Sequence, residues 1–195
     1  MPSSLTPFIS RQDLTDYLGR DVTADDGALA CVDAACDIVR TATEQNINRG
    51  TTTGTFDGTG TDTLLLPEMP VSSVGTVEVF ELEGTTNTWD TLGTADYTLN
   101  GNGGLHAVDR AGTATMGHRW PAGRQNVRVN YVHGYLDAEI PRDIRMIALT
   151  VASRLLVQGP TLFESLGDLN VRYAAESTAL MPTERFLLRK HRRTR

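Results

Sequence analysis

The strongest constraint on the fold is a change of composition that begins near residue 51 and ends near residue 132. Of the 18 glycines in the 195-residue chain, 12 lie in this interval, together with 16 threonines. Threonine favours strands and glycine favours tight turns, and both weaken helices. We therefore expect β structure within 51–132 and helices on both sides of it.

Alternation of apolar and polar residues places strands inside this interval. The segment NVRVNYVHGY alternates cleanly, with Val127, Val129 and Tyr131 on one face and Arg128 and Asn130 on the other. TVEVFELE also alternates, and DYTLNG and GGLHAV fit between the two. A period of two is typical of a sheet with one buried face. The interval predicts an antiparallel meander or small sandwich of five to seven strands.

Two helices are predicted before the β region. Ser10 stands at an N-cap position with Asp13 three residues later, a pair that resembles a capping box, and Gly19 stands where the helix should end. A second, longer helix is predicted to open at Thr23 and to run to about Asn48. Both helices precede the first glycine-rich segment.

A further helix is predicted to begin at Pro141, and over 144–157 its apolar residues are not confined to one stripe. A helix that is apolar nearly all round needs cover on more than one side. A neighbouring subunit is a natural source of the second cover. Met146, Leu149 and Leu156 lie off the fuller apolar face, so we predict that these three contact a neighbouring subunit.

These patterns predict an α+β fold. Its parts are a helical bundle, made of two N-terminal helices, one long apolar helix and one C-terminal helix, and a large antiparallel β insertion. The N-terminal helices are assigned to 1–50, the β lobe to 51–132, and the C-terminal helices and basic tail to 133–195. Thr183 is expected to cap the last helix. A chain of 195 residues suits a single structural unit with an insertion.

The sign of the charge changes near the C-terminus. The last eleven residues, RFLLRKHRRTR, contain six basic side chains and no acidic one, whereas residues 1–184 contain 12 basic and 24 acidic side chains. Runs of Lys and Arg often bind phosphate, so a nucleic-acid-binding arm is one interpretation. The acidic body opposes it because it repels DNA. A solvated terminal charge run is the simplest interpretation.

No arrangement of residues indicates catalysis, a cofactor or a metal. Asp109 and His118 are compatible with part of a catalytic dyad, but no activated serine accompanies them. The single lysine lies in the tail, so there is no Walker A motif, and GTGTDT and NGNGG do not match a dinucleotide fingerprint. We predict a non-enzymatic protein without a cofactor. The histidines are scattered and show no metal-ligand spacing: His106, His118, His133 and His191.

The cysteines and the apolar segments bear on the compartment. Cys31 and Cys36 are five residues apart in one predicted helix, so their side chains diverge and a disulfide is excluded. The most apolar helical segment, MIALTVASRLLV, is interrupted by Arg154 and is too short for a bilayer. The start, MPSSLTPFIS, has no signal-peptide pattern. These features predict a soluble protein with buried thiols and no membrane partner.

Several segments resemble the head–tail connector, or head completion adaptor, family of tailed bacteriophages. They are FDGTGTDTLLLPEMPVSSVGTVEVF, DYTLNGNGGLHAV, HRWPAGRQNVRVNYVHGYLDAEIPRDIRMIALTVASRLL and ESLGDLNVRYA. The resemblance extends from about Leu14 to the end of the chain. Its strongest element is a strand, a glycine turn and an apolar helix that begins with a proline.

The resemblance implies a connector-type bundle and a structural role in the virion neck, after assembly in the host cytoplasm. Members of the family form a dodecameric ring under the portal, extend the DNA channel and provide a platform for the stopper and then the tail. The implied partners are other copies of the chain, the portal protein, and a stopper or another neck or tail protein. Genomic DNA would pass through the channel without specific binding, which suits an acidic body.

In this family the C-terminal segment typically docks on the portal. For this sequence the resemblance implies that Phe186, Leu187 and Leu188 fill an apolar groove while the basic residues meet portal carboxylates. Two alternatives remain open: a nucleic-acid-binding module whose tail is the binding arm, and another phage neck or tail protein such as a stopper or tail terminator. The basic residues in question are Arg185, Arg189, Lys190, Arg192, Arg193 and Arg195.

Overall fold

The structure, a computed structural model, is a mixed α+β fold with antiparallel sheets. The chain divides into two compact units. The first, here called the helical unit, comprises residues within Met1–Ile47 and Asp137–Arg193, and the second, the β unit, comprises Asn48–Leu136. The residues described are 5–83, 86–100, 104–107, 119–158, 163–166, 169–172 and 180–192.

A four-stranded antiparallel sheet forms the larger part of the β unit. Its central strand β7 (Gly123–His133) lies between β1 (Gly50–Gly58) and β3 (Val71–Glu83), and β4 (Thr86–Thr91) pairs with β3 at the edge. In β7 the burial alternates as the sequence predicts, because alternate side chains point to opposite faces. The residues of β7 that face the core are Val127, Val129 and Tyr131.

A second, three-stranded sheet completes the core of the β unit. It consists of β2 (Thr63–Leu65), β6 (Gly104–Ala107) and β5 (Tyr97–Leu99), with β6 in the middle. Apolar residues of both sheets form one buried cluster. Trp120 is fully buried in this cluster, and its indole Nε1 donates to the carbonyl oxygen of Leu105 at 2.9 Å. The indole therefore adds apolar area to the core without leaving its polar group unpaired.

The two ends of the β unit lie side by side. Gly50, the first residue of β1, pairs with His133, the last residue of β7. The pairing continues outward, because the backbone N–H of Arg49 donates to the carbonyl oxygen of Tyr135 at 2.8 Å, and Asn48 forms a bridge with Tyr135. The chain thus enters and leaves this unit through one paired segment.

The first helix of the helical unit, α1 (Arg11–Leu18), begins and ends as predicted. The Ser10 hydroxyl accepts from the backbone N–H of Asp13 at 3.1 Å, and the Asp13 carboxylate accepts from the backbone N–H of Ser10 at 2.7 Å. Gly19 ends the helix in the left-handed region with φ 67°, which glycine adopts without steric cost. The capping box predicted from the sequence is therefore confirmed.

The second helix, α2 (Asp26–Thr43), is shorter than predicted at both ends. Its N-cap is Asp25, whose carboxylate accepts from the backbone N–H of Gly27 at 2.8 Å. Thr23 does not cap the helix, because its hydroxyl and N–H are bonded to the Asp21 carboxylate. The helix ends where Glu44 takes a left-handed conformation with φ 55°. The predicted boundaries at Thr23 and about Asn48 were both wrong.

The third helix, α3 (Arg142–Gln158), is amphipathic rather than a long apolar helix. Its buried residues occupy one broad face, whereas Met146 is exposed and Arg145 and Arg154 interrupt the apolar surface. The prediction of a helix apolar nearly all round was therefore wrong. One face is covered by helices of the same unit, α1 and α2 among them. None of the helices in the described ranges is long and apolar enough to cross a membrane.

The last elements follow a hairpin of β8 (Phe163–Leu166) and β9 (Leu169–Arg172), where the sequence had predicted a turn and one short strand. Helix α4 (Pro182–Leu188) continues into a 3₁₀ helix, Arg189–His191. Met181 is the N-cap of α4 in place of Thr183, since Pro182 takes the first helical position, where its missing N–H costs nothing.

Candidate functional site

The C-terminal segment 180–192 packs onto the rest of the helical unit. Leu188 is only 1% exposed and Leu180 is also buried. Arg154 of α3 donates through Nη2 to both carboxylate oxygens of Glu184 in α4, at 3.0 and 2.8 Å. Both side chains are largely withdrawn from solvent. Burial of an ion pair in this geometry joins α4 to α3 at a fixed position.

Asp143, in the first turn of α3, holds the residues that follow α4. Its Oδ2 atom accepts from Lys190 Nζ at 2.8 Å and lies 2.9 Å from His191 Nε2. Burial by itself raises the pKa of Asp143. The hydrogen bonds and charges of Lys190 and His191 outweigh that effect and lower the pKa to about 2. The carboxylate is therefore ionised under all ordinary conditions.

A third ion pair ends the described segment. Arg192 pairs with Glu44, the residue at the C-terminal end of α2. Lys190, His191 and Arg192 are thus engaged with carboxylates of their own chain. Arg193 and Arg195 lie outside the described residues, as does the Asp109–His118 pair.

A groove of about 670 Å³ lies between α2 and the C-terminal segment. Apolar atoms of Ile38, Ala42 and Leu180 contribute to its lining. Arg185 and Arg189 also line it and, among the residues described, neither makes an ion pair with an acidic side chain. The other lining residues are Asp37, Thr41, Glu44 and Arg192.

The three apolar residues predicted to dock on the portal have different environments. Phe186 is 70% exposed and Leu187 is 45% exposed, so both are available to a partner. Leu188 is buried by its own chain, because it faces the same side of α4 as Glu184 four residues earlier. Two of the three apolar side chains therefore remain on the surface.

The three predicted inter-subunit residues also differ in exposure. Met146 is 41% exposed and Leu156 is half-buried, whereas Leu149 is buried within the helical unit. Ile147, Ala148 and Leu149 are consecutive and all three are buried. The buried face of α3 is therefore wider than a single row of residues three or four apart. Val157, which the sequence analysis did not single out, is 73% exposed. Its position in the last turn of α3, just before Gly159 and Pro160, was the available signal.

In the described ranges, the arrangement of side chains does not indicate a catalytic or metal-binding site. No group of three or more His, Cys, Asp or Glu side chains is placed there to hold a metal ion. Cys31 and Cys36 are free thiols, and burial raises the pKa of both, so they are poor nucleophiles. His133 is buried in the β unit and bonded to the Thr52 hydroxyl at 2.9 Å.

Comparison with known proteins gives matches among solved structures. No protein-family model and no curated protein sequence matches the chain. A chain in the neck of an empty GTA particle, computed with C6 symmetry, is 15% identical with a TM-score of 0.59, over 100% of this chain and 95% of that one. A chain in the neck of a native GTA particle, computed with C12 symmetry, is 14% identical with a TM-score of 0.58, over 100% and 95%.

A third solved structure, also of a gene transfer agent, matches at a similar identity and coverage. A chain in the virion of a native gene transfer agent (GTA) particle is 18% identical with a TM-score of 0.61, over 99% of this chain and 94% of that one. The likeness extends over almost the whole length of both chains in each case. At these identities it establishes a shared fold.

Proposed function

We propose that the chain is a structural protein of the neck of a phage-like particle, and that it forms a ring that adapts the head to the tail. The observation that carries the proposal is the shared fold over 99–100% of the chain with chains of gene transfer agent necks and virions. One of those necks was computed with C12 symmetry and another with C6 symmetry. A ring of twelve copies of this chain is the corresponding assembly, located in the virion neck.

The charge distribution supports this role over that of a nucleic-acid-binding module. The whole chain carries a net charge of −6, and six of its 18 Lys and Arg residues lie in the last eleven positions. Two of those six, Lys190 and Arg192, already pair with carboxylates of the same chain, at Asp143 and Glu44. Fewer cations are therefore free for phosphate than the sequence suggests. An acidic body lets DNA slide through a channel without adhering to its wall.

The ring contact is proposed to use the exposed apolar residues of α3. Met146, Leu156 and Val157 offer partly or largely exposed apolar area, whereas Leu149 does not. A ring requires a heterologous contact, in which one surface of each copy meets a different surface of the next. Apolar area in such a contact stabilises it by about 25 cal/mol per Å² buried.

Docking on the portal is proposed to use Phe186 and Leu187, with the nearby arginines in a secondary role. Burying a large apolar side chain contributes about 1.5–3 kcal/mol, while an exposed ion pair contributes about 0.2–1 kcal/mol. The two apolar residues therefore set the strength of the contact, and the charges set its orientation and encounter rate. Repetition around a ring multiplies a weak single contact if all copies engage together.

The ring is tested by comparing Met146→Asp with Leu149→Asp. Met146→Asp should remain folded by circular dichroism and should lose ring assembly, measured by sedimentation and by electron microscopy with and without portal rings. Leu149→Asp should unfold, because it places a charge in the core. A Met146→Asp protein that assembles as well as the wild type would remove α3 from the ring contact.

Docking is tested with Phe186→Ser/Leu187→Ser in a head-completion assay with DNA-filled, tailless heads. This variant should remain folded and should fail to join the heads. Binding that requires heads already carrying another adaptor would identify a stopper or tail terminator instead. Tight, salt-sensitive binding of free DNA by a protein that ignores the heads would identify a nucleic-acid-binding module.

A further inference from the structure

We infer that the groove between α2 and the C-terminal segment binds a short acidic and partly apolar peptide segment of a partner protein. The inference rests on the proposed neck function and extends it. The earlier expectation was that the C-terminal segment enters a groove on a partner. The geometry places a groove on this chain itself, so the partner contributes the inserted segment.

The size and lining of the groove suit a short peptide. Its volume of about 670 Å³ lies within the range of about 300–1,000 Å³ that is usual for binding pockets. Ile38, Ala42 and Leu180 provide apolar surface on which an aliphatic side chain can pack. Thr41 supplies a hydroxyl at the same surface. An apolar surface flanked by polar groups is the usual form of a site that fixes the orientation of its ligand.

The charges of the groove select an acidic ligand. Arg185 and Arg189 are four residues apart and line the groove together, with no acidic partner among the described side chains. The acidic residues of the lining are already matched, since Asp37 pairs with Arg40 at 3.0 Å and Glu44 pairs with Arg192. These two guanidinium groups are exposed, so they are hydrated and accessible to a ligand. Each is a planar fork that binds a carboxylate in a bidentate manner.

The same lining disfavours a nucleic acid. Asp37 and Glu44 stand at the groove and repel a phosphate chain that runs along it. Among the described residues, the lining contains no aromatic side chain on which a base could stack. A carboxylate-bearing peptide avoids both difficulties, because it places two isolated charges on the arginines and apolar atoms on the remaining surface.

The inference is tested by fluorescence anisotropy with the full chain and a labelled seven-residue peptide of alternating Asp and Leu. The control peptide has Asn in place of each Asp. The groove variant is Arg185→Gln/Arg189→Gln, and the matched control is Arg119→Gln/Arg124→Gln, which makes the same charge change at two exposed arginines of the β unit. Circular dichroism confirms that each variant is folded.

We expect the Asp peptide to bind the wild type and the Arg119/Arg124 variant equally, and to bind the Arg185/Arg189 variant about tenfold more weakly or not at all. The Asn peptide should bind about tenfold more weakly than the Asp peptide to the wild-type protein. Equal binding of the two peptides, or equal binding by the two variants, would overturn the inference.

Two other results would replace it. Groove-dependent binding of a single-stranded oligonucleotide without binding of the peptide would assign the arginines to phosphate. Self-association that is lost in the groove variant, without peptide binding, would assign the groove to a second copy of the chain. The head-completion assay is scored separately. A chain that completes heads but does not bind the peptide refutes the groove inference alone, and a chain that binds the peptide but never joins heads refutes the neck function alone.

Discussion

The two compact units are held together by different interactions. In the β unit, strands of two sheets bury one apolar cluster, with Trp120 fully enclosed. In the helical unit, the C-terminal segment is attached through ion pairs at Glu184, Asp143 and Glu44 in addition to the buried Leu188. Apolar burial is insensitive to pH and strengthened by salts such as sulfate, whereas ion pairs respond to both pH and ionic strength.

The difference indicates where the molecule is adaptable. A close-packed apolar cluster tolerates few changes of shape, because interiors are packed as densely as organic crystals. The exposed cations Lys190 and Arg192 can exchange their own carboxylates for those of a partner at a small net cost, because exposed ion pairs contribute little. The groove and the exposed Phe186 lie in the helical unit, beside such a segment. We therefore expect the β unit to be rigid and the C-terminal segment of the helical unit to be the part that contacts a partner.

The largest effect is expected in the β unit. Trp120→Ala should lower the free energy of unfolding by about 3–5 kcal/mol, because it empties a fully buried site and leaves the Leu105 carbonyl without its donor. Urea denaturation followed by circular dichroism measures the change. Trp89→Ala is the matched control: Trp89 is half-buried and contacts Phe80 edge-on at 5.3 Å, so about 1 kcal/mol is expected. Equal losses of stability in the two variants would contradict the inference that the buried cluster around Trp120 dominates the stability of the β unit.

The next effect tests the buried ion pair of the helical unit. Arg154→Ala should cost about 3 kcal/mol, since it leaves the Glu184 carboxylate buried without its cation. The double variant Arg154→Leu/Glu184→Leu should recover part of that loss: two apolar side chains replace two desolvated charges, but the Met181 backbone N–H loses the Glu184 carboxylate as its acceptor. Thermal and urea unfolding of the two variants decides the matter. A double variant that is less stable than Arg154→Ala would contradict this expectation, because it would mean that apolar side chains cannot replace the ion pair at this position.

A smaller effect concerns the pH dependence of the same unit. The folded-state pKa of Asp143, about 2, lies below its ordinary value of 3.8, so ionised Asp143 stabilises the fold above pH 3.8. That contribution is lost as the pH falls from 3.8 through 2. Asp143→Asn should therefore cost about 1–2 kcal/mol at pH 7 and nothing near pH 2, as stability measurements across that range would show. A constant difference across this range would exclude the ion pairs as its source.

The smallest effect tests the local signal at the start of α1. Ser10→Ala removes a side-chain acceptor from the Asp13 backbone N–H and should cost about 0.5–1 kcal/mol. Ser10→Thr should restore most of it, because a threonine hydroxyl can also accept from the Asp13 backbone N–H and donate to the Asp13 carboxylate. Differential scanning calorimetry resolves changes of this size. A loss as large as that of Arg154→Ala would mean that α1 contributes more to the unit than its one buried residue, Leu14, suggests.

Features fixed by neighbours in the chain were predictable, whereas those fixed by distant partners were not. The capping box of Ser10 and Asp13 spans three residues, and the alternation of β7 repeats every two. The start of α2 was missed because Asp21 takes the hydroxyl of Thr23 and leaves Asp25 as the cap. Its end was missed because Glu44 occupies a left-handed conformation, which non-glycine residues seldom adopt.

The C-terminal segment shows the same limit for the candidate site. Its sequence contains the exposed Phe186 and Leu187, and its charge is evident, but its partners Asp143 and Glu44 lie 48 and 148 residues earlier in the chain. No local pattern reports contacts at that separation. One signal was available: Arg154 lies among the apolar residues of α3, and an arginine withdrawn from solvent requires a carboxylate nearby. Glu184 is that carboxylate.

The paired ends of the β unit have a consequence for how such a chain can change over generations. Because Asn48 and Gly50 lie opposite Tyr135 and His133, the chain leaves and re-enters the helical unit at points about 5 Å apart. A gap of that width can be closed by a turn of a few residues, or by any other module whose termini are adjacent. Two crossovers, one at each of these positions, would therefore exchange the whole module and leave the sequence of the helices unchanged.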